Sequence, residues 1–233
     1  ESEAAYMDTV RQLDDEDKLV GDPLTVARVA RITGRLVSIA VADFPESADW
    51  KWSVAIVDDT ETVNAWCMAG GRMAVYTGLF DQLKLTDDEF AQIMGHEISH
   101  ALANHTAERM SQAMATAAGM AVIGAASDNS SVAMAGASML ANVALTLPNS
   151  RDAENEADVM GMVLATKAGY DPEAAVTLWQ KMGDLNDERP AEFLSTHPAP
   201  ENRQAVLNVM IPRMLKINSD RTKAPIHPVT IVQ

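Results

Sequence analysis

The 233-residue chain has a single cysteine, Cys67, so it can form no disulfide within itself, and its redox compartment stays open. Cys67 sits in an apolar, strand-like run, where a cysteine behaves as a small buried hydrophobe. Basic residues are scarce: 18 Lys and Arg stand against 33 Asp and Glu, a formal net charge of −15. So acidic a surface argues against nucleic acid as a partner, because phosphate contacts need clustered cations. Nowhere do about 18 apolar residues follow one another, the length a membrane-spanning helix requires. The nearest approach, Asn129 to Ser150, carries no charge but is broken by Ser130, Ser131, Gly136, Ser138, Asn142 and Thr146. An initiating Met and a secretory apolar segment are also missing, so either a targeting segment has been removed or the chain was trimmed. The expectation is an exported protein.

What is present suits one globular domain over 1–233 with a substantial core, at 47% apolar and 22% charged residues. Val26, Val29, Ile32, Leu36 and Ile39 recur at intervals of three and four, which predicts an amphipathic helix over about 24–41. The stretches 52–57 and 63–69 are short and rich in β-formers, and 72–76 follows directly after Gly70-Gly71. A hairpin is expected there, since glycine supplies the positive φ angles of a tight turn. Thr86-Asp87-Asp88-Glu89 forms a capping box, so a helix starts near Asp87 and runs through His96 and His100. A second helix starts near Asn149 or Ser150 and ends around Gly169. A third opens at Asp171-Pro172 and stops near Gly183, and a last one starts around Pro200. Beyond Ile217, Pro225 and Pro228 mark about 217–233 as a loose C-terminal tail.

The chemistry concentrates in His96-Glu97-Ile98-Ser99-His100. At about 100° per residue the two histidines lie about 40° apart, one turn from each other. Both imidazoles can therefore converge on one ion at about 2.0–2.1 Å. Glu97 lies farther round the helix, able to reach a water on that ion without ligating it. Zinc lowers the pKa of such a water to about 7, and a carboxylate so placed takes its proton as it attacks. The plainer alternative is a chance match on an ordinary amphipathic helix, against which stands the independent cap at Thr86.

A three-histidine site would continue with a glycine and a further histidine where the chain has Ala103 and Thr106. His105 misses by one residue and lies about 140° round the helix from His100. It cannot share the ion unless the helix breaks, and a structural bond to a neighbouring element is its expected role. The better third ligand lies downstream, between Ser150 and Asp158. Glu154 and Asp158 are four apart and share a helical face, while Glu156 points away from it. Glu154 completes a set of two histidines and a glutamate and leaves one position open for water. Asp158 is placed to accept the ring N–H of a ligand histidine. A solvated acidic face is the plainer alternative.

This combination resembles the HtpX-like and prenyl-protein-protease family of gluzincins, in its soluble cell-envelope branch with relatives of the mitochondrial Oma-type proteases. Four segments between about 63 and 203 carry the resemblance. They are Asn64-Ala65-Trp66-Cys67 through Gly70-Gly71 to Tyr76-Thr77-Gly78-Leu79; His96 to His105 followed by Ala107-Glu108-Arg109; Ser150-Arg151 through Glu154 to Asp158; and Ser195-Thr196-His197-Pro198 with Arg203. The resemblance implies an α+β, predominantly helical fold, a zincin-like core with a small mixed β-sheet whose edge strand lies beside the active-site helix. It implies one zinc ion per chain on His96, His100 and Glu154, with Glu97 as catalytic base and Asp158 bonded to a ligand rather than to the ion. His197 would donate to the oxyanion in catalysis or take the fourth zinc position in a latent state, a plain loop histidine being the alternative. Arg203 would anchor that loop or assist it.

Asn64 and Ala65 open the candidate edge strand, along which an extended substrate could add as a further strand; a purely structural hairpin is the alternative. The Ala- and Met-rich stretch over about 110–147 is expected to be a helical insert. It would cover the cleft or meet a membrane surface or envelope complex, with core packing as the plain alternative. The expected location is the bacterial cell envelope, in the periplasm, after loss of a signal or lipoprotein segment. Two functions follow: a zinc-dependent endopeptidase acting on extended or unfolded proteins in envelope quality control, or a zinc-stabilised chaperone or assembly factor. Glu97 favours the first, because a structural zinc site needs no general base.

Overall fold

A computed structural model describes residues 2–109, 111–112, 115, 148–188, 192–198 and 202–232. Helices Ser2–Asp15 (α1) and Pro23–Asp43 (α2) precede strand Ser53–Val57 (β1). Strands Ala65–Met68 (β2) and Arg72–Tyr76 (β3) follow, then helices Gly78–Leu83 (α3) and Asp87–Leu102 (α4). After 148 come Arg151–Lys167 (α5), Glu173–Glu188 (α6), Glu192–Thr196 (α7), Arg203–Ile217 (α8) and strand Thr230–Val232 (β4).

The four strands form one mixed sheet in the order β2-β3-β1-β4. β2 and β3 make the expected antiparallel hairpin, Ala65 facing Val75 and Met68 facing Arg72. Gly70 and Gly71 turn it with φ of 88° and 80°. β1 runs parallel to both β3 and β4 and is buried at every position. Its alternate side chains feed two cores, as a strand covered on both faces must. Val54 and Ile56 pack with Val29, Ile32 and Leu36 of α2 and with Phe90 and Ile98 of α4. Ala55 and Val57 pack on the opposite face with Tyr6 and Val10 of α1.

The capping box forms as read. Glu89 N–H donates to Thr86 Oγ1 at 3.2 Å, and Thr86 N–H donates to Glu89 Oε2 at 2.9 Å. From Glu89 to Leu102 every side chain of α4 is buried, which makes it the central helix of the larger core. α5 takes its N-cap bond from Ser150 and ends before Gly169, whose φ is 94°.

Two expectations need correction. α6 does not stop at Gly183 but continues to Glu188; open space surrounds the position where a Cβ would stand, so the glycine marks no boundary. The segment after Ile217 is not a loose tail. Ala224 N–H donates to Ala168 O at 3.2 Å, His227 N–H to Gly34 O at 3.0 Å and Thr230 N–H to Trp52 O at 3.1 Å, before β4 joins β1. Pro225 and Pro228 lack an N–H, but their neighbours make these bonds, so here proline marks extended backbone at a sheet edge. The insert expected over about 110–147 lies outside the described residues apart from 111, 112 and 115, and so does the expected helix start at Pro200. Among the described residues, no helix is long and apolar enough to cross a membrane.

Candidate metal centre

One turn apart on α4, His96 and His100 bring their Nε2 atoms to 3.0 Å. α5 crosses α4 where Gly95 meets Gly161. A Cβ on Gly95 would stand 2.8 Å from Gly161 O, and one on Gly161 would stand 2.7 Å from His96 N, so the two backbones touch. That close crossing brings Glu154, about two turns before Gly161, onto the histidines. Glu154 Oε2 lies 3.4 Å from His96 Nε2, and Oε1 lies 3.2 Å from His100 Nε2.

Ligands about 2.0–2.1 Å from a tetrahedral zinc ion stand about 3.3 Å from one another. The separations of 3.0, 3.2 and 3.4 Å bracket that value. His197, from the segment after α7, joins them, and donor atoms of His96, His100, Glu154 and His197 all lie within 4.8 Å of one another, every residue buried. Imidazoles plus one carboxylate are donors zinc accepts, so residues and spacing both fit it.

A second layer of bonds orients these donors. Asp158 Oδ1 lies 3.0 Å from His96 Nδ1. An ionised carboxylate only accepts, so Nδ1 keeps its hydrogen, and Nε2 turns a lone pair to the cluster when a cation takes the place of its proton. Arg203 Nε donates to Asp158 Oδ2 at 2.5 Å and its Nη2 to Glu154 Oε2 at 2.8 Å. Its guanidinium lies 3.7 Å above the centroid of Trp179. Asn149 Nδ2 donates to Glu154 Oε1 at 2.7 Å. Arg203 thus touches two acidic residues of the site itself, beyond the loop role read for it. Asn149 and Trp179 were not foreseen. Asn149 had a signal, standing immediately before the N-cap of the helix that carries Glu154; Trp179 had none.

The charges follow from burial and neighbours. Burial would raise Glu154, but His96 and His100 hold its carboxyl well below the usual carboxylate range. Burial would lower His96, but the Glu154 and Asp158 carboxylates outweigh it and raise the imidazole to about 10. The pocket therefore calls for positive charge at that point, which a bound cation meets as well as a proton does. Burial lowers His100 to about 4 and takes His197 well below its ordinary value, which leaves neutral rings with lone pairs to offer.

Glu97 is buried beside the cluster, its Oε1 3.3 Å from His197 Nε2. Burial pushes its carboxyl up to about 8, His96 opposing and Glu154 assisting, and the Cys67 N–H of β2 bonds to it. His197 Nδ1 lies 3.1 Å from Phe193 O, an obligate acceptor, so the neutral ring carries its hydrogen there and presents a bare Nε2. The structure thus draws His197 into the cluster.

His105 is reached through a break in the helix. α4 ends at Leu102, and Asn104 takes a left-handed φ of 62°. His105 then turns back, its Nδ1 3.0 Å from His100 Nδ1 and its Nε2 3.3 Å from Glu156 Oε2. It bonds a neighbouring helix, as expected, and also a histidine of the cluster.

β2 is the sheet edge on the α4 side, where Thr106 Oγ1 donates to Cys67 O at 3.1 Å. Ala65 is its first residue and Asn64 immediately precedes it, both buried. Ala65 N–H bonds to Asn64 Oδ1 at 2.9 Å, and Val63 O accepts from Phe193 N–H at 3.1 Å. The start of the edge strand is therefore tied to the segment that carries His197.

A family model described as peptidase family M48 matches residues 23–211, which include every residue of this cluster. The mitochondrial metalloendopeptidase OMA1 of Arabidopsis thaliana is 36% identical over 162 residues, 68% of this chain and 32% of that protein. The protein of the same name from Schizosaccharomyces pombe is 30% identical over 190 residues, 81% of this chain and 53% of that one. The beta-barrel assembly-enhancing protease of Escherichia coli strain K12 is 28% identical over 205 residues, 84% of this chain and 41% of that one. The matched region spans 32% to 53% of these relatives' own lengths.

Proposed function

We propose, from the premise that the chain belongs to peptidase family M48, that it is a zinc-dependent endopeptidase cleaving extended or unfolded protein segments. One observation carries this reading: His96, His100 and Glu154 hold their donor atoms 3.0 to 3.4 Å apart, with the buried Glu97 carboxylate beside them. In this reading those three residues are the zinc ligands, one ion per chain, and residues 1–233 act as one metallopeptidase domain. Zinc, when bound, lowers the pKa of water and polarises the scissile carbonyl.

Glu97 takes the proton of the attacking water and returns it to the leaving amine. A carboxyl raised by burial to about 8 suits that exchange near neutral pH. Asp158 keeps the His96 Nδ1–H in place, and Arg203 ties down both Glu154 and Asp158. His197, with its bare Nε2, serves as an additional donor that closes the site, and leaves it when substrate enters. An extended substrate adds along β2 from Asn64 and Ala65, the sheet edge beside α4.

Similarity to the Escherichia coli beta-barrel assembly-enhancing protease supports placement in the bacterial envelope, on the periplasmic side, with a part in protein quality control there. A chaperone stabilised by zinc would have no use for Glu97. Glu97→Gln, assayed on casein with zinc content measured alongside, tests the reading. Loss of cleavage by about 10²-fold or more with zinc retained is expected; equal cleavage by variant and wild type would overturn it.

A further inference from the structure

We propose that His105 is a positioning residue for the zinc ligand His100, with Glu156 holding His105 in the tautomer the task requires. The inference rests on the zinc site proposed above and extends it to a second, separate line of bonds. Glu156 Oε2 lies 3.3 Å from His105 Nε2. Ionised, Glu156 only accepts, so Nε2 of His105 carries a hydrogen and the neutral ring has its lone pair on Nδ1. The 3.0 Å contact between His105 Nδ1 and His100 Nδ1 then has one direction, with His100 donating. His100 Nε2 is left bare, facing His96 Nε2 at 3.0 Å and Glu154 Oε1 at 3.2 Å. With the opposite tautomer of His105, two N–H groups would meet, or His100 would carry its hydrogen on the nitrogen meant for the metal.

Each ligand histidine is thus oriented by a different partner: Asp158 accepts from His96, and His105 accepts from His100. Only the first partner is a carboxylate. The Asn104 turn makes the second one available, because a helix continued through 103–105 would carry His105 about 140° away from His100. Glu156 points away from the face shared by Glu154 and Asp158, and that direction is what lets it meet His105. Its side chain is 58% exposed while that of His105 is 10% exposed, so the line runs from the surface to the metal cluster.

The test uses the full chain and measures zinc affinity by chelator competition, with the visible spectrum of the cobalt-loaded protein as a report on ligand geometry. His105→Ala and His105→Phe should weaken zinc binding by about 10–100-fold, since neither accepts a hydrogen bond at Nδ1. His105→Gln should bind zinc within a few-fold of wild type, because its amide oxygen can accept. Phe fills the space, so a packing role would leave it as tight as wild type, and that result overturns the proposal. Glu156→Ala, at an exposed position that leaves the fold intact, should weaken zinc binding several-fold and shift the cobalt spectrum; no change in either overturns the role of Glu156. A wild type that takes up no zinc would instead defeat the zinc site itself, a result separate from tight binding by wild type and His105→Phe alike.

Discussion

Glu97 Oε1 and His197 Nε2 stand 3.3 Å apart, the proposed base and the histidine that closes the site. Because Phe193 O holds the hydrogen of His197 on Nδ1, Nε2 offers a lone pair rather than a proton. His197→Ala is therefore expected to raise casein cleavage several-fold with zinc still bound. A fall in turnover would make His197 a donor in catalysis instead, and unchanged turnover would remove it from the site.

Arg203 neutralises two carboxylates in a space that admits little water, its side chain 3% exposed. Removing one partner of such a buried set leaves charge uncompensated, at a cost of about 3–5 kcal/mol. Arg203→Ala should show that loss in urea unfolding. Arg203→Lys should recover only part of it, since an ammonium cannot match two carboxylates with a planar fork. Stability equal to wild type in Arg203→Ala would remove the bridging role.

The same substitution at two glycines should act with opposite sign. Gly161→Ala places a Cβ 2.7 Å from His96 N and must push α5 from α4, so zinc affinity and cleavage should fall by an order of magnitude or more. Gly183→Ala meets open space on a helix and should stabilise the fold by roughly 0.5–1 kcal/mol. Thermal unfolding and zinc titration of both variants decide it; a Gly161→Ala protein with native affinity would show that the crossing does not set the site.

Chelation should abolish cleavage and lower the melting temperature, and stoichiometric zinc should restore both. A ligand present at about 1,000 times its dissociation constant stabilises by about 4 kcal/mol. Glu154→Gln should lose most of that zinc-dependent gain. A melting temperature indifferent to the chelator would count against a metal among these four residues.

The parts legible in the sequence are those whose signals are local. The capping box at Thr86 and the four-residue spacings of His96 with His100 and Glu154 with Asp158 each lie within one helix. Gly95 and Gly161 were not legible, because a glycine in a helix gives no sign of which other backbone it touches. Asn104 is readable in part, since asparagine favours the left-handed position after a helix, but nothing local fixes that the helix breaks there; the break lets His105 bond Glu156, the neighbouring-element role expected for it, and His100 as well. Pro225 and Pro228 read as looseness in the sequence, although proline suits an extended edge segment equally well. His197 and Arg203 depended on family resemblance, their partners being distant in the chain.

If substrate adds along the start of β2 as proposed, the bond from Phe193 N–H to Val63 O sets its entry against closure of the site by His197. A peptide laid on the start of β2 competes for the acceptor Phe193 now uses, and the His197 ring is stacked on Phe193 with centroids 4.3 Å apart. Displacing one disturbs the other, so the observed affinity of any peptide is its intrinsic affinity reduced by the fraction of molecules already open. Short or folded segments make too few strand contacts to shift that balance. Selection by length and unfoldedness would follow without any preferred residue at the scissile bond.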